Sequence, residues 1–214
     1  MRRFARVAAA LAAVAVVVPA TGRSSASPPF TARIGPVTTA ELGRSWHRGC
    51  PVAPANLRRL RLAYRDFRSR RRLGTLVVSA RAAHDVVAVF RRLYRARFPI
   101  RRLRPVAAYR GSDERSMAAD NTSGFNCRRV AGSRRWSAHA YGEAIDVNPV
   151  ENPSLRDGLV DPPSGRGYVD RSRARRGMAV EGGVLVRAFA SVGWSWGGRW
   201  TGAQDYQHFS STGG

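Results

Sequence analysis

Four residues in two short stretches carry groups that could hold a metal ion and move a proton. The first stretch, SAHAYGEAIDVNP (residues 137–149), holds His139 and Asp146. The second, DYQHF (205–209), holds Asp205 and His208. The chain has four histidines in all, and these two have an acid nearby. Catalytic zinc sites commonly take three protein ligands and leave a fourth position to water. Imidazole is the usual ligand and a carboxylate a common third, so His139, Asp146 and His208 make a complete set. Asp205 is then available as a general base. Bound zinc lowers the pKa of its water towards ~7, and a nearby carboxylate takes the proton during attack. Ser137 could tie down the loop before His139, and Gly142 permits backbone that other residues resist. Taken singly, each of these residues has a plainer reading as packing, solvated charge or turn chemistry. The combination carries the metal reading.

Groups so far apart in sequence need elements to bring them together. LRLAYRDF (60–67) alternates apolar and polar residues, the period of a half-buried strand. GTLVVS (74–79) is β-branched and apolar, a second strand, and the basic turn between them predicts a hairpin. ARAAHDVVAVFRRLYRARF (80–98) changes period: Val86, Val87, Phe90, Leu93, Tyr94 and Phe98 fall on one helical face. Ser79 is placed to cap that helix, and Pro99 follows its end. RPVAAY (104–109) reads as a strand leading into a long polar loop (110–128). Residues 137–142 read as loop, and EAIDVN (143–148) as a strand with Asp146 on the face opposite Ile145 and Val147. A Pro/Gly-rich excursion (150–171) precedes a helix over 180–194 that stops at Gly193. DYQHFSS (205–211) reads as a terminal strand. This order predicts an α+β fold, a small antiparallel sheet with helices mainly on one face.

The chain is 214 residues long, which suits one domain with additions. It opens with MRRFAR and an apolar run of fourteen residues, VAAALAAVAVVVPA, and offers small residues for cleavage at Ser24-Ser25-Ala26 or at Val18-Pro19-Ala20. That layout predicts a secretory signal peptide over 1–26. A membrane anchor is the alternative, but the run falls short of the ~20 apolar residues a spanning helix needs. Residues 27–45 are rich in Pro, Gly, Ser and Thr and read as a linker, with a short ordered piece near TTAELG. A globular domain is expected over 46–214, without a transmembrane segment in the mature chain. Export implies an oxidising milieu, and the two cysteines, Cys50 and Cys127, then favour a disulfide over free thiols or a metal pair.

The formal net charge is +23, and every basic residue apart from histidine is arginine. Such a charge draws a protein to polyanions. For an exported chain those are anionic cell-wall polymers and lipid heads. Nucleic acid is not expected as a partner. The aromatics do not interleave as on an RNA-binding sheet, and metal nucleases need clustered acids for Mg²⁺.

SAHAYGEAIDVN resembles the S-x-H-x-x-G-x-A-x-D motif of the M15 zinc peptidases, the D-alanyl-D-alanine carboxypeptidases and L-alanyl-D-glutamate endopeptidases. GWSWGGRWTGAQDYQHF is similar to their C-terminal signature. The resemblance runs from roughly Trp46 to Phe209. It implies a Hedgehog/DD-peptidase-like α+β fold, zinc held by His139, Asp146 and His208, Asp205 as catalytic base, and peptidoglycan stem peptide as substrate. Relatives also carry an arginine that steadies the substrate carbonyl or the oxyanion formed from it. Arg110 and Arg128 both qualify here, and with Ser137 they are the candidate substrate contacts. A second reading stays open, a non-catalytic zinc-containing module that binds the cell wall. The presence of Asp205 favours the enzyme.

Overall fold

The computed structural model describes residues 28–213. The signal peptide expected over 1–26 lies outside them. Within the stretch 27–45, Ala32–Pro36 form strand β1 and Thr39–Leu42 form the one-turn helix α1. Thr38 and Glu41 cap α1 reciprocally, each side chain taking the other's backbone amide. The ordered piece near TTAELG is therefore α1, whereas β1 is too short to show a period in sequence.

The expected hairpin is present and longer than read, with β2 at Leu57–Arg65 and β3 at Arg71–Ser79. Its turn is held by Asp66, whose carboxylate accepts the amides of Arg68 and Arg70, both at 2.9 Å. Strand β1 adds to the other edge of β2, giving an antiparallel sheet in the order β1-β2-β3. Helix α2, Ala83–Arg95, packs on this sheet. Leu60, Leu62, Leu76 and Val78 from the strands meet Val86, Val89, Phe90 and Leu93 from the helix, all fully buried. Burying each such side chain contributes about 1.5–3 kcal/mol. The helix is shorter than 80–98. Its cap is Ala82 rather than Ser79, because Ser79 Oγ instead accepts the Ala82 amide in a preceding turn. At the far end Arg97 takes a positive φ of 54°, which ends the helix before Pro99.

The segment 104–109 is not a strand. After β4 (Arg102–Leu103), the Asn121 side chain takes both the amide and the carbonyl of Arg104, at 3.0 Å each. The chain then turns through a 3₁₀ helix at Val106–Tyr109. The polar loop is also more ordered than read. It carries helix α3 (Asp113–Ala118) and strand β5 (Asn121–Thr122), which pairs in parallel with β4.

The remaining elements are α4 (Ala138–Tyr141), β6 (Ala144–Asp146), β7 (Ser154–Arg156), β8 (Leu159–Asp161), α5 (Val184–Ala190), β9 (Ser195–Trp196), β10 (Gln204–Asp205) and β11 (His208–Ser210). The last helix starts four residues later than read, because Gly182, at φ 67°, and Gly183 precede it. Two further antiparallel sheets form, β6-β11-β9 and β10-β7-β8. The expected terminal strand is thus two short strands in different sheets, separated by Tyr206 and Gln207. Phe209 of β11 stacks on Phe189 of α5 with ring centroids 4.1 Å apart, which ties this sheet to the main core. The architecture is α+β, as expected. No helix of the described residues is long and apolar enough to cross a membrane.

Candidate metal centre and cleft

The stretch read as loop ahead of β6 is the single helical turn α4. Ser137 caps it, its hydroxyl accepting the His139 amide at 3.3 Å. Gly142 ends it at φ 69°, a left-handed conformation that favours glycine. The chain then enters β6, which carries Asp146. Antiparallel pairing of β6 with β11 places His208 directly opposite Asp146. Three local devices, a cap, a glycine turn and a strand register, therefore deliver three side chains to one point.

There His139 Nε2 lies 3.1 Å from Asp146 Oδ2, and His208 Nδ1 lies 3.2 Å from Asp146 Oδ1. The two ring nitrogens are 3.2 Å apart. All three side chains are buried. His139 donates from Nδ1 to the Gly124 carbonyl at 2.7 Å, which aims Nε2 at the cluster and fixes the tautomer. Burial disfavours a charged His139, but the Asp146 carboxylate outweighs this and raises its pKa. Burial likewise pushes Asp146 up, yet the two histidines hold its carboxyl well below the ordinary range.

This donor set fits zinc. Ligand atoms ~2.0–2.1 Å from a tetrahedral ion stand about 3.3–3.4 Å from one another, close to the spacings here. Two imidazoles and a carboxylate are also the donor types that zinc takes in hydrolytic enzymes.

The cluster opens on a cleft of about 630 Å³ lined by Asp146, His208, Asp205, Ser137, Arg128 and Trp200, among others. Asp205 sits on β10, paired to Ser154 of β7. Its Oδ1 is buried without a hydrogen-bond partner among the described residues. Burial first, and then the negative charge of Asp146, push its pKa up to about 6. Gly197 makes this approach possible, since a Cβ there would stand 2.7 Å from the Asp205 carbonyl and 3.2 Å from His208 Cβ. The glycines of WSWGG thus have a packing reason. Trp200 lies tilted at 46° against His208, ring centroids 5.2 Å apart.

Of the two candidate arginines, Arg128 lines the cleft. Its Nε is 2.8 Å from Asp113 Oδ2 of α3. Arg110 is exposed, caps the 3₁₀ helix in a left-handed conformation, and does not line the cleft. Asp113 and Gln207 escaped the sequence reading. Asp113 was hidden in the polar loop, and only the tertiary fold sets it against Arg128. Gln207 lies between Asp205 and His208, buried with Oε1 unpartnered among the described residues, and faces the same cleft. Asn148, adjacent to β6, does not touch the ligands. Its side chain bonds to Pro99, Gly177 and Arg101 and holds the backbone.

Cys50 and Cys127 form a disulfide. His47 Nε2 lies 3.4 Å from Cys127 Sγ, but with both sulfurs bonded to each other this trio is not a metal site.

An α+β domain with a buried His-Asp-His cluster at the floor of a cleft defines the class, a fold built around a candidate hydrolytic metal centre. Residues 131–211 match the family model described as D-alanyl-D-alanine carboxypeptidase, a peptidase of the M15 type. His139, Asp146, Asp205 and His208 all fall inside the match, whereas Arg110, Arg128 and the disulfide lie before it. The match supports a peptidase that acts on peptidoglycan. Comparisons with curated proteins and with solved structures found no match.

Proposed function

We propose that this chain is an exported zinc peptidase that cleaves a peptide bond in the peptidoglycan stem, of the D-Ala-D-Ala carboxypeptidase or endopeptidase type. His139, Asp146 and His208 would hold the ion. The observation that carries this reading is the convergence of those three buried side chains at 3.1–3.2 Å spacings. Zinc bound there supplies Lewis acidity at the scissile carbonyl and makes water more acidic.

The chain's own groups perform the proton work. Asp205, with a pKa brought towards neutrality, accepts a proton from the attacking water as its oxygen bonds to the carbonyl carbon. It returns that proton to the departing nitrogen as the C–N bond breaks. A base poised near the working pH suits both halves of this transfer. Arg128 faces the oxygen on which negative charge grows, and Asp113 keeps its guanidinium in place. Gly124 holds His139 in register, and Trp200 shields one side of the cluster.

The test uses two variants of the purified protein, with zinc measured by elemental analysis and products released from purified peptidoglycan. His139→Ala should lose zinc and activity together. Asp205→Ala should retain zinc and lose about 10²–10⁴-fold in turnover. Full activity in Asp205→Ala would remove the base. Wild-type protein with full zinc and no turnover would favour the wall-binding module instead.

A further inference from the structure

A second concavity, of about 890 Å³, lies between strand β1 and helix α2, built from elements other than those that frame the metal cluster. Its floor is apolar, from Phe30, Ile34 and Val87 among others, and its walls carry Arg33, Arg65, Arg91, Arg95 and Arg97. Among the described residues, no aspartate or glutamate lines it. Arg33, Arg65, Arg91 and Arg95 make no ion pair among the described residues. Arg65 is 7% exposed, and its Nε has no hydrogen-bond partner among the described residues. Its guanidinium is stacked over Tyr94 at 4.5 Å. Tyr94 is in turn fixed by donating its hydroxyl hydrogen to the Pro28 carbonyl at 2.6 Å. Arg91 and Arg95 stand one helical turn apart on one face of α2.

Arg65 Nη1 donates to the Ser69 carbonyl at 3.3 Å, but a buried cation lacking a counter-ion is still costly. Like charges directly opposite across strands are also destabilising, yet Arg33 of β1 faces Arg61 of β2 in register. An anion that runs from the groove onto the outer face of the sheet answers both. We propose that this groove binds a linear phosphate polyanion, a chain of the phosphodiester type, which continues past β1 onto the outer face of the sheet. Two features favour a polymer over a bilayer. The cations occupy both sides of an edge strand, which a linear chain can follow and a flat surface cannot. The groove also offers a bilayer little to insert, Ile34 being its one large apolar side chain exposed beyond a third, at 39%.

The inference is independent of the zinc and peptidase reading, and its test measures binding alone. The probe is linear polyphosphate, titrated over a range of salt. Arg91→Glu with Arg95→Glu is compared with Arg173→Glu with Arg176→Glu, an equal charge change at exposed arginines outside the groove. The groove pair should weaken binding by about tenfold or more. It should also flatten the slope of log affinity against log salt by about 0.7 for each phosphate that the protein no longer neutralises. The outer pair should do far less of both. Arg33→Gln, on the opposite wall, repeats the test without altering α2. Equal losses in both pairs would show that net charge alone binds, and would overturn the site. So would groove-dependent binding to phosphatidylglycerol vesicles without binding to polyphosphate.

Discussion

Arg128 is one of 37 arginines, and the role proposed for it rests on position alone. It shares the cleft with Asp146, Asp205 and His208 and is steadied by Asp113. Arg128→Ala should therefore lower kcat/KM on a stem peptide by about 10²–10³-fold, the usual effect of removing a group that meets a growing oxyanion. Arg128→Lys should recover part of the loss, since it keeps the charge but not the planar fork. Arg110→Ala should leave kcat/KM nearly unchanged, and a loss as large as that of Arg128→Ala would reverse the assignment. The cluster of His139, Asp146 and His208 was legible in sequence because histidine and carboxylate at short spacing limit the chemistry available. The choice between the arginines was not, because every arginine in so basic a chain offers the same donors and only the fold selects one.

At the scale of elements, the angle between α4 and β6 sets the distance between His139 and Asp146, and Gly142 sets that angle. An alanine Cβ at Gly142 would stand 2.5 Å from the Ser79 amide nitrogen, which itself donates to the Gly142 carbonyl at 2.8 Å. Gly132 has the same φ of 69° but faces open space. Both Gly→Ala changes forfeit about 1–2 kcal/mol for left-handed backbone. Gly142→Ala must also push β3 away from the turn, so its urea midpoint should fall well below that of Gly132→Ala, and its zinc affinity with it. Equal midpoints and equal affinities would mean that the packing against Ser79 is not what holds the turn. The hairpin and α2 were legible because their periods run over many residues. β10 and β11 were read as one strand because each is too short to show a period, and their partners, β7 and β6, lie some fifty to sixty residues back. The segment 104–109 misled for a related reason. Its apolar residues suit a strand, but Asn121, distant in sequence, takes the backbone groups that a strand would need.

At the scale of the whole molecule, the disulfide and one buried acid join segments far apart in the chain. The bridge from Cys50 to Cys127 fastens the region before β2 to the residue next to Arg128. Glu151 gathers three other segments. Its Oε1 accepts from Arg101 at 2.8 Å, Arg101 also bonds Asp120 at 3.1 Å, and Arg171 donates to the Glu151 carbonyl at 2.9 Å. Burial, reinforced by the charge of Asp120, outweighs Arg101 and pushes the Glu151 carboxyl up to about 7. In the unfolded chain the same carboxyl titrates near ~4.3. Between those values the native state binds more protons than the unfolded state, so stability must fall as pH rises. The contribution is fully present below about pH 4 and is lost as pH climbs through about 7. With Glu151 only 1% exposed, its ceiling is a few kcal/mol. Denaturant midpoints of the wild type should therefore decline between about pH 5 and pH 8. Glu151→Gln, which keeps the shape and one acceptor but cannot ionise, should flatten that decline even if it lowers the midpoint throughout. A decline of the same slope in Glu151→Gln would place the titrating group elsewhere in the fold.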